Sequence, residues 1–328
     1  MTIFLQSVFV VFCAAIVAQF FLLALLPFLE RRMLDHPNFR SSHVKPTPRG
    51  AGVSFVLISF FASAIELIFN LNLNLGILPS LSPVLFAAPL AFVGFLDDSL
   101  SLPAVLRYLC QIFTAFVMVI NSSLFSASGI HLVLFCLLVI AVTAVINFIN
   151  FMDGLDGLVA GCMALVISAA AIRLAAPWPI WALVGAILCF LVWNWSPSKV
   201  FMGDVGSTFL GAVFAGLVLQ ASSWIEALCC LLVATPLLGD ACICVIRRLL
   251  VGQRVFQAHR LHLFQRLHQA GWPHARVSFT YISATAVLAL ALLVGDWPWV
   301  FGLAVVELLV GVWLDQRVAV PFAVVSKN

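Results

Sequence analysis

Long apolar runs, separated by short clusters of charged, Gly, Pro or Asn residues, follow one another along the whole chain. Most runs approach the ~20 residues that an α-helix needs to cross the hydrocarbon core of a bilayer. The pattern therefore predicts about ten to eleven membrane-spanning helices. They are expected at residues 3–28, 52–69, 78–96, 103–120, 130–148, 158–176, 178–194, 206–220, 224–246, 277–294 and 297–314.

The composition excludes a soluble protein. Hydrophobic residues make up 64% of the chain and charged residues 9%, whereas about 25% of residues are charged in ordinary soluble domains. The composition also fits a membrane β-barrel poorly, because barrel strands alternate polar and apolar residues. The sequence shows no transporter-type repeat and no appended soluble domain. We predict an all-α polytopic integral membrane protein in which residues 1–328 form a single domain.

Basic residues set the predicted orientation. Lys and Arg are retained on the cytoplasmic side of a membrane, and all but one of the 16 Lys and Arg residues fall in one set of alternating loops. The exception is Arg173, near the opposite face. We therefore expect an outside N-terminus and an inside C-terminus. The first apolar run begins MTIFLQSVFVVF, without a basic residue, so we expect it to remain as an anchor and not to be cleaved as a signal peptide.

Five of the 13 acidic residues lie in three inside loops. They are Asp97 and Asp98 in GFLDDSLSLP, Asp153 and Asp156 in NFINFMDGLDGL, and Asp204 in VFMGDVGSTFLG. Because the loops lie at the same membrane edge, the acids can converge on one site. Neighbouring carboxylates repel each other and favour a compensating cation, and such oxygen ligands suit Mg²⁺. For Asp97 and Asp98 alone, a solvated helix end is the alternative.

Small and amide residues accompany these acids. Glycines let backbone N–H groups approach a ligand closely, and Ser207 or Thr208 can cap a helix whose N-terminus attracts phosphate. Tight turns between membrane helices explain the glycines but not the acids. Asn147, Asn150 and Asn194 lie at the inside ends of predicted spans. They can bind nucleobase or sugar groups, or simply a backbone group at the helix end.

Two further inside loops carry candidate phosphate ligands. In the first loop, Lys45, Thr47 and Arg49 are stiffened by prolines and can clamp a diphosphate, although such basic loops often serve only orientation and lipid head groups. In the last loop, His259 and His262 share one face of a predicted amphipathic helix. That helix either lies on the inner leaflet or uses its histidines for phosphate contact or proton handling. A zinc site would need further ligands, and the 9 Cys, without a C-x-x-C pair, are expected to be buried hydrophobic residues.

In this order, the Asp pair, NFINFMDGLDG, VFMGDVGS and the His-bearing last loop resemble the polyprenyl-phosphate N-acetylhexosamine-1-phosphate transferases, which are glycosyltransferase family 4. This family includes the O-antigen initiating transferases and the bacterial phospho-N-acetylmuramoyl-pentapeptide transferase. The resemblance covers about residues 35–276. It implies a UDP-sugar donor, undecaprenyl phosphate as acceptor, and Mg²⁺, or Mn²⁺ in its place, as cofactor.

The resemblance also implies roles for the acids. Asp204 matches the family's Mg²⁺ ligand, while Asp97 and Asp98 match a pair assigned to Mg²⁺ or to activation of the acceptor phosphate. Asp153 and Asp156 match acids of the nucleotide and metal site. Because a lipid phosphate is mostly dianionic at neutral pH, we expect the Asp pair to position substrate and metal more than to abstract a proton.

Other site residues follow from the same resemblance. Asn194 and Phe201, in WNWSPSKVFMGD, match positions that hold the uracil, on which Phe201 can stack. His259 and His262 fall in the region of the family's catalytic His motif. The form HRLHLFQRLHQAGW departs from the adjacent His residues of the muramoyl enzyme. This departure argues against the peptidoglycan precursor as donor. The short chain resembles O-antigen initiators that use a 6-deoxy or other N-acetylated sugar.

The implied reaction transfers N-acetylhexosamine-1-phosphate from a UDP-sugar to undecaprenyl phosphate, and it yields undecaprenyl-diphospho-sugar and UMP. We expect it at the cytoplasmic face of a bacterial inner membrane, in lipopolysaccharide or related cell-wall biogenesis. Membrane lipid is an expected partner, nucleic acid is not, and a homodimer is compatible with the pattern. The alternative is a transporter or flippase for a lipid-linked sugar, which would place its site at the midplane and show repeat symmetry. A structural scaffold would not require five acids on one side.

Overall fold

A computed structural model describes residues 2–37, 45–72, 82–128, 132–253 and 259–325. These ranges contain fifteen α-helices and one antiparallel pair of two-residue strands, β1 (Leu34–Asp35) and β2 (Thr47–Pro48). The helices are α1 (Thr2–Arg32), α2 (Val53–Asn72), α3 (Pro83–Leu100), α4 (Ala104–Ile120), α5 (Ser123–Ser128), α6 (Leu132–Met152), α7 (Leu158–Arg173), α8 (Trp178–Asn194), α9 (Asp204–Val218), α10 (Trp224–Leu232), α11 (Thr235–Leu250), α12 (Leu263–Gln269), α13 (His274–Val294), α14 (Trp297–Arg317) and α15 (Phe322–Val325). Arg40, Arg254 and Lys327, which contribute to the predicted orientation, lie outside the described residues.

Each predicted span coincides with helical structure. Six helices, α1, α2, α3, α6, α13 and α14, are long and apolar enough to cross a membrane. Four others, α4, α7, α8 and α9, are apolar but shorter. The expected single span at 224–246 is instead the pair α10 and α11, bent by 83°. Pro236, in the first turn of α11, has no backbone N–H and favours a helix start there. The predicted all-α polytopic membrane class is confirmed.

Helix α9 lies at the centre of the bundle, between α3 and α6. All of its residues from Val205 to Leu217 are buried. The approach of α3 is close at Gly94, where an added Cβ atom would lie 2.8 Å from the backbone carbonyl carbon of Asp204. Because glycine has no side chain at this crossing, the C-terminal half of α3 lies directly beside the first turn of α9.

The strand pair holds residues 48–52 against the segment that precedes α9. Phe201 donates its backbone N–H to the carbonyl oxygen of Pro48 at 2.7 Å, and Ala51 donates to the carbonyl of Phe201 at 3.0 Å. The backbone N–H of Arg49 donates to the carbonyl of Met33 at 2.8 Å. These bonds place the side chain of Arg49 beside the start of α9.

The last loop is held against α11 by Asp240. Its carboxylate accepts the backbone N–H groups of Leu263 at 2.7 Å and Phe264 at 3.0 Å. These are the first residues of α12, so Asp240 satisfies N–H groups that have no partner within that helix. The hydroxyl of Tyr281 also donates to Asp240, at 2.8 Å. The segment 259–262, which precedes α12, therefore lies next to α11.

Candidate active site

Asp98 joins the end of α3 to the start of α9. Its carboxylate, fully shielded from solvent, accepts the backbone N–H groups of Asp204 at 3.0 Å and Val205 at 3.1 Å. It thereby caps the helix and meets the positive end of its dipole. Gly203 makes room for this contact, because its φ is 77° and a Cβ atom there would clash with Oδ2 of Asp98. Asp98 is thus a structural support of the site.

Two guanidinium groups enclose the carboxylate of Asp204. Arg49 places Nη2 2.8 Å from Oδ1 of Asp204 and Nε 2.8 Å from Oδ1 of Asp98. Arg107 places Nη1 2.8 Å from Oδ2 of Asp97 and 3.5 Å from Oδ2 of Asp204. Both arginine side chains are 38% exposed, so a soluble ligand can reach them. The structure thus brings Asp97, Asp98 and Asp204 to one place.

Asp153 adds a fourth carboxylate to this group. It is half-buried in the turn after α6. The pKa of Asp153 is raised to about 7. Burial is the largest cause, the charge of Arg49 opposes it, and the charges of Asp204 and Asp98 add to it. Burial lowers the pKa of Arg49, but Asp98 and Asp204 more than offset it, and the net pKa is raised. Without a cation, the Asp153 carboxyl therefore holds a proton up to near neutral pH. A divalent cation beside these acids would favour their ionised forms.

The raised pKa of Asp153 predicts a pH-dependent loss of stability. The folded, metal-free protein holds this proton up to a pH of about 7, whereas an ordinary Asp releases it near 3.8. The protonated Asp153 therefore contributes to the free energy of unfolding in full below about pH 4, and this contribution is lost as the pH rises through about 7. We expect Asp153→Asn, which cannot ionise, to gain in unfolding temperature over the wild type between pH 5 and 8, measured in nanodiscs with chelator present.

A matched control for that measurement is Asp296→Asn, an exposed acid at the start of α14. This variant should follow the wild type at every pH. A difference between Asp153→Asn and the wild type that stays constant from pH 5 to 8, or shrinks, would show that Asp153 does not titrate as described.

A cavity of about 290 Å³ opens beside Asp204. Five residues that the sequence proposed as site residues line it, namely Asn147, Asn150, Asp204, His259 and His262. Thr208, proposed from the sequence as a helix cap, also lines it. Four further polar residues of the lining were not singled out from the sequence, namely Arg107, Tyr108, Gln111 and Gln265. In the sequence, Arg107 is only one of many basic residues near a predicted span. Its role becomes visible once α3, α4 and α9 are packed together.

Amide side chains form one wall of this cavity. Nδ2 of Asn147 donates to Oε1 of Gln111 at 2.7 Å. Oδ1 of Asn150 accepts a hydrogen bond from the hydroxyl of Ser207. An amide group offers more donors and acceptors than these bonds use, so this wall retains hydrogen-bonding capacity for a polar ligand.

An apolar groove of about 660 Å³ adjoins the cavity. Its lining comes from α4, α6 and α11, and includes Ile112, Phe116, Phe135, Val139, Ile140, Ala144, Phe148 and Val245. Tyr108, Asn147 and Phe151 line both spaces. The polar cavity and the apolar groove therefore meet at these three side chains.

The two histidines of the last loop lie together at the cavity. Their rings stack with centroids 4.9 Å apart, and His262 is buried while His259 is half-buried. Burial, followed by the charges of His262 and Arg248, lowers the pKa of His259 to about 3, against a smaller raising effect of Asp240. His259 is therefore neutral at physiological pH, and it can contact a phosphate through an N–H group but not as a cation.

Asp156 lies in a separate cluster. Its carboxylate accepts a hydrogen bond from the hydroxyl of Ser198 at 2.9 Å, and Oδ2 lies 3.1 Å from Nδ1 of His274. Burial raises the pKa of Asp156, but the contacts with His274 and Ser198 outweigh this effect, and the net pKa is lowered. His274 was not singled out from the sequence, because no nearby motif marks it. Asp156 thus ties α13 to the turn before α7.

Asn194 links two loops near the site. Oδ1 accepts the backbone N–H of Gly157 at 3.0 Å, and Nδ2 donates to the carbonyl of Val200 at 2.9 Å. The side chain is buried. Backbone groups therefore occupy both ends of an amide that the sequence proposed for uracil binding, and the role of Asn194 in uracil binding stays a prediction.

The remaining predicted ligands lie along the strand pair and its neighbour. Thr47 is buried and donates its hydroxyl to the carbonyl of Lys45 at 3.1 Å. Lys45 is exposed and Phe201 half-buried. The structure places Arg49 at the Asp204 carboxylate, whereas Thr47 and Lys45 lie two and four residues earlier in the chain.

The donor atoms of this group fit a hard divalent cation. Asp97, Asp153 and Asp204 supply oxygen ligands only, the type that Mg²⁺ prefers. Several of the predicted ligand carboxylates already have partners. Backbone N–H groups and Arg49 contact Asp98, the Leu102 N–H and Arg107 contact Asp97, and Ser198 and His274 contact Asp156. The roles of Asp204, Asp97, Asp98 and Asp156 as direct ligands of a metal ion stay predictions.

Comparison with known proteins places these residues in a family. Glycosyl transferase family 4 matches residues 80–222, which contain the Asp pair, Arg107, Asp153 and Asp204. The chain is similar to phospho-N-acetylmuramoyl-pentapeptide-transferases of Bacillus mycoides (strain KBAB4), 39% identical over 119 residues, and of Mycobacterium leprae (strain TN), 33% identical over 119 residues. That of Acaryochloris marina (strain MBIC 11017) is 32% identical over 149 residues.

These matches are partial. They cover 35%, 35% and 41% of this chain, and 36%, 33% and 38% of the respective relatives. The chain thus spans about a third of the length of the curated relatives that it matches. The matched segment nevertheless carries the acids and the arginine that the structure brings together at the start of α9. Residues 80–222 are therefore a glycosyl transferase family 4 domain, homologous to these transferases.

Proposed function

We propose that the protein transfers N-acetylhexosamine-1-phosphate from a UDP-sugar to undecaprenyl phosphate, with formation of undecaprenyl-diphospho-sugar and UMP. The observation that carries this proposal is the junction of a polar cavity with an apolar groove at Tyr108, Asn147 and Phe151. A water-soluble donor and a lipid acceptor need such a junction, because their reacting phosphates must meet although their other parts prefer different environments.

The arginines supply the donor half of the site. Arg49 and Arg107 are half-exposed and pair with carboxylates that a cation can neutralise instead. Guanidinium groups bind phosphate oxygens through paired N–H bonds. We expect both arginines to turn from Asp204 toward the diphosphate of the donor, while Asn147 and Asn150 face the sugar.

The apolar groove supplies the acceptor half. Its lining is almost wholly hydrocarbon and aromatic, and its side chains come from helices that carry lipid-facing residues as well, such as Leu137 of α6. An isoprenoid chain in this groove would bring its terminal phosphate to the junction with the cavity. The phosphate is already mostly dianionic near neutral pH, so the residues here need to place it and do not need to deprotonate it.

Catalysis of this reaction depends mainly on placement and on charge neutralisation. The site would hold Mg²⁺ through Asp204, with Asp97 and Asp153, and the bound ion would neutralise charge on the diphosphate. Arg107 and Arg49 orient the donor, and Asp98 keeps the first turn of α9 in place beneath Asp204. The bond from the sugar-linked phosphorus to the UMP oxygen breaks as the lipid phosphate oxygen bonds to that phosphorus.

The cellular setting follows from the proposed reaction. We propose a bacterial inner membrane with the site on the cytoplasmic side, where UDP-sugars are made, and a role in O-antigen or related polysaccharide synthesis. The opposite end of the bundle carries Arg173, paired with Glu226 at 3.1 Å. This position supports the orientation with an outside N-terminus, since Arg173 is the one basic residue outside the basic loops.

A transporter for a lipid-linked sugar is the alternative, and a single assay distinguishes the two. Protein in liposomes with undecaprenyl phosphate is given a UDP-sugar that is radiolabelled in the uridine. We expect labelled UMP in amounts equal to the lipid product, and none when the lipid phosphate is left out. Binding of the labelled donor without any release of UMP would support the transporter.

The groove assignment predicts a selective kinetic change. Ala144 is half-buried and lines the groove, so a bulky side chain there should obstruct the isoprenoid chain. We expect Ala144→Trp to raise the KM for the lipid acceptor about tenfold, equivalent to roughly 1.4 kcal/mol of binding, with the KM for the UDP-sugar unchanged. The measurement is a UMP-release titration of each substrate.

The control for the groove is Leu137→Trp, an exposed position on the same helix that does not line it. It should leave both KM values unchanged. An equal rise in the two KM values for Ala144→Trp would point to a general distortion, and an unchanged lipid KM would exclude the groove as the acceptor site.

A further inference from the structure

Cys244 lies beside the two histidines of the last loop, although it belongs to α11. One ligand atom from each of Cys244, His259 and His262 lies within 4.8 Å of the others. Donor atoms around a tetrahedral zinc ion are about 3.5 Å apart, as follows from bonds of roughly 2.0 to 2.3 Å. A movement of about 1 Å per side chain would therefore bring all three to bonding distance of one ion.

The surroundings of His262 orient it for such a role. Its ring lies between those of His259 and Phe264, with centroid distances of 4.9 Å and 5.7 Å. Nδ1 lies 3.7 Å from Oδ1 of Asp240, and Asp240 is itself held by Tyr281 and by the start of α12. The distance of 3.7 Å is too long for a hydrogen bond, and Nδ1 of His262 has no hydrogen-bond partner among the described residues. A small shift of the ring would let Nδ1–H donate to Asp240 and leave the other nitrogen for a metal, which is how most metal-bound histidines are held.

We propose that Cys244, His259 and His262 bind a transition-metal ion of the Zn²⁺ type, at a site separate from the carboxylates. One sulfur and two nitrogens are softer donors than carboxylate oxygens, and they select Zn²⁺ over Mg²⁺. On binding, the thiol releases its proton to solvent and a metal–thiolate bond forms in its place. Nδ1 of His259 accepts a hydrogen bond from the Leu261 N–H, which is long at 3.3 Å. This hydrogen bond would break if the His259 ring turned to bind the ion.

Access and geometry agree with this assignment. Cys244 is buried, but His259 and His262 line the polar cavity, which gives an ion a path from solvent. Three protein ligands leave the fourth position of a tetrahedral ion to water or to an oxygen of a ligand in the cavity. A bound ion would fasten the last loop to α11, so zinc should raise the unfolding temperature of the wild type.

The test measures metal content directly. Full-length protein in nanodiscs is stripped with a chelator, dialysed against micromolar Zn²⁺ with millimolar Mg²⁺, and analysed by elemental mass spectrometry. We expect zinc to be bound in equal amounts by the wild type and by Cys242→Ser, and to be lost in Cys244→Ser. Cys242 is a matched control, because it lies two residues away on the same helix and outside the group. Co²⁺ should give a thiolate charge-transfer absorption in the first two proteins alone.

Two results would overturn the proposal. One is equal zinc content in the wild type and in Cys244→Ser, and the other is a wild type that binds no zinc. Unfolding temperatures without metal show whether each variant is folded. If Cys244→Ser does not fold, His259→Gln replaces it, since this side chain is only half-buried. It should also lose the zinc, and retention of zinc in that variant would contradict the proposal.

Discussion

Replacing Asp204 with Asn is expected to slow UMP release about a thousandfold, because a bound metal ion lowers a phosphoryl-transfer barrier by several kcal/mol, and each ~1.4 kcal/mol is a factor of ten. Asp204 is the carboxylate that both arginines contact, and it begins the helix at the centre of the bundle. The loss should appear in the turnover number at saturating concentrations of both substrates.

A second measurement separates loss of metal from loss of structure. Mg²⁺ should raise the unfolding temperature of the wild type, since a ligand that binds only the folded state stabilises it. Asp204→Asn should show no such rise, whereas Asp296→Asn, an exposed acid at the other end of the bundle, should behave as the wild type. Near wild-type release of UMP by Asp204→Asn would refute the metal assignment.

Replacing Asp98 with Ala is expected to remove both stability and activity. The change leaves Arg49 without its buried partner and two N–H groups of α9 without their acceptor. Breaking a buried ion pair costs about 3 to 5 kcal/mol, and partial exposure of Arg49 lowers the expected cost to about 2 to 3 kcal/mol. The fall in unfolding free energy, measured by denaturant titration in nanodiscs, tests this value.

The comparison variant is Asp97→Ala. Asp97 accepts one backbone N–H, from Leu102, and pairs with the half-exposed Arg107, so its removal should cost about 1 kcal/mol or less. It should nevertheless reduce the rate, because Asp97 faces the site. Equal stability losses in the two variants would contradict the capping role of Asp98. If Asp98→Ala is as stable as the wild type, the structural role of Asp98 is wrong and a purely chemical role is supported.

The sequence was sufficient for the fold class because each span is a local property. Length and apolar content locate a membrane helix without knowledge of its neighbours, and helices occur at all the predicted spans. The bend between α10 and α11 was not predicted, because the apolar run continues across it and only Pro236 marks it. Bends of this kind depend on packing against other helices.

The candidate site could be predicted in part. Acids among glycines at one membrane edge indicated where chemistry would lie, and four of the five acids meet there or beside it. The contacts of each acid depend on packing. Asp98 accepts hydrogen bonds from the first turn of α9, and Asp156 contacts Ser198 and His274. Arg107 and Cys244 had no distinguishing pattern, because their partners lie far away in the sequence.

The most direct test of the proposed function is the mass of the lipid formed when the protein in liposomes receives undecaprenyl phosphate and a panel of UDP-N-acetylhexosamines. We predict a lipid that gains the sugar together with one phosphate, in equal amounts with UMP. A lipid that gains the sugar alone, with UDP as the second product, would mean that the donor is cleaved at a different bond, and no lipid product with any donor would contradict the transferase itself.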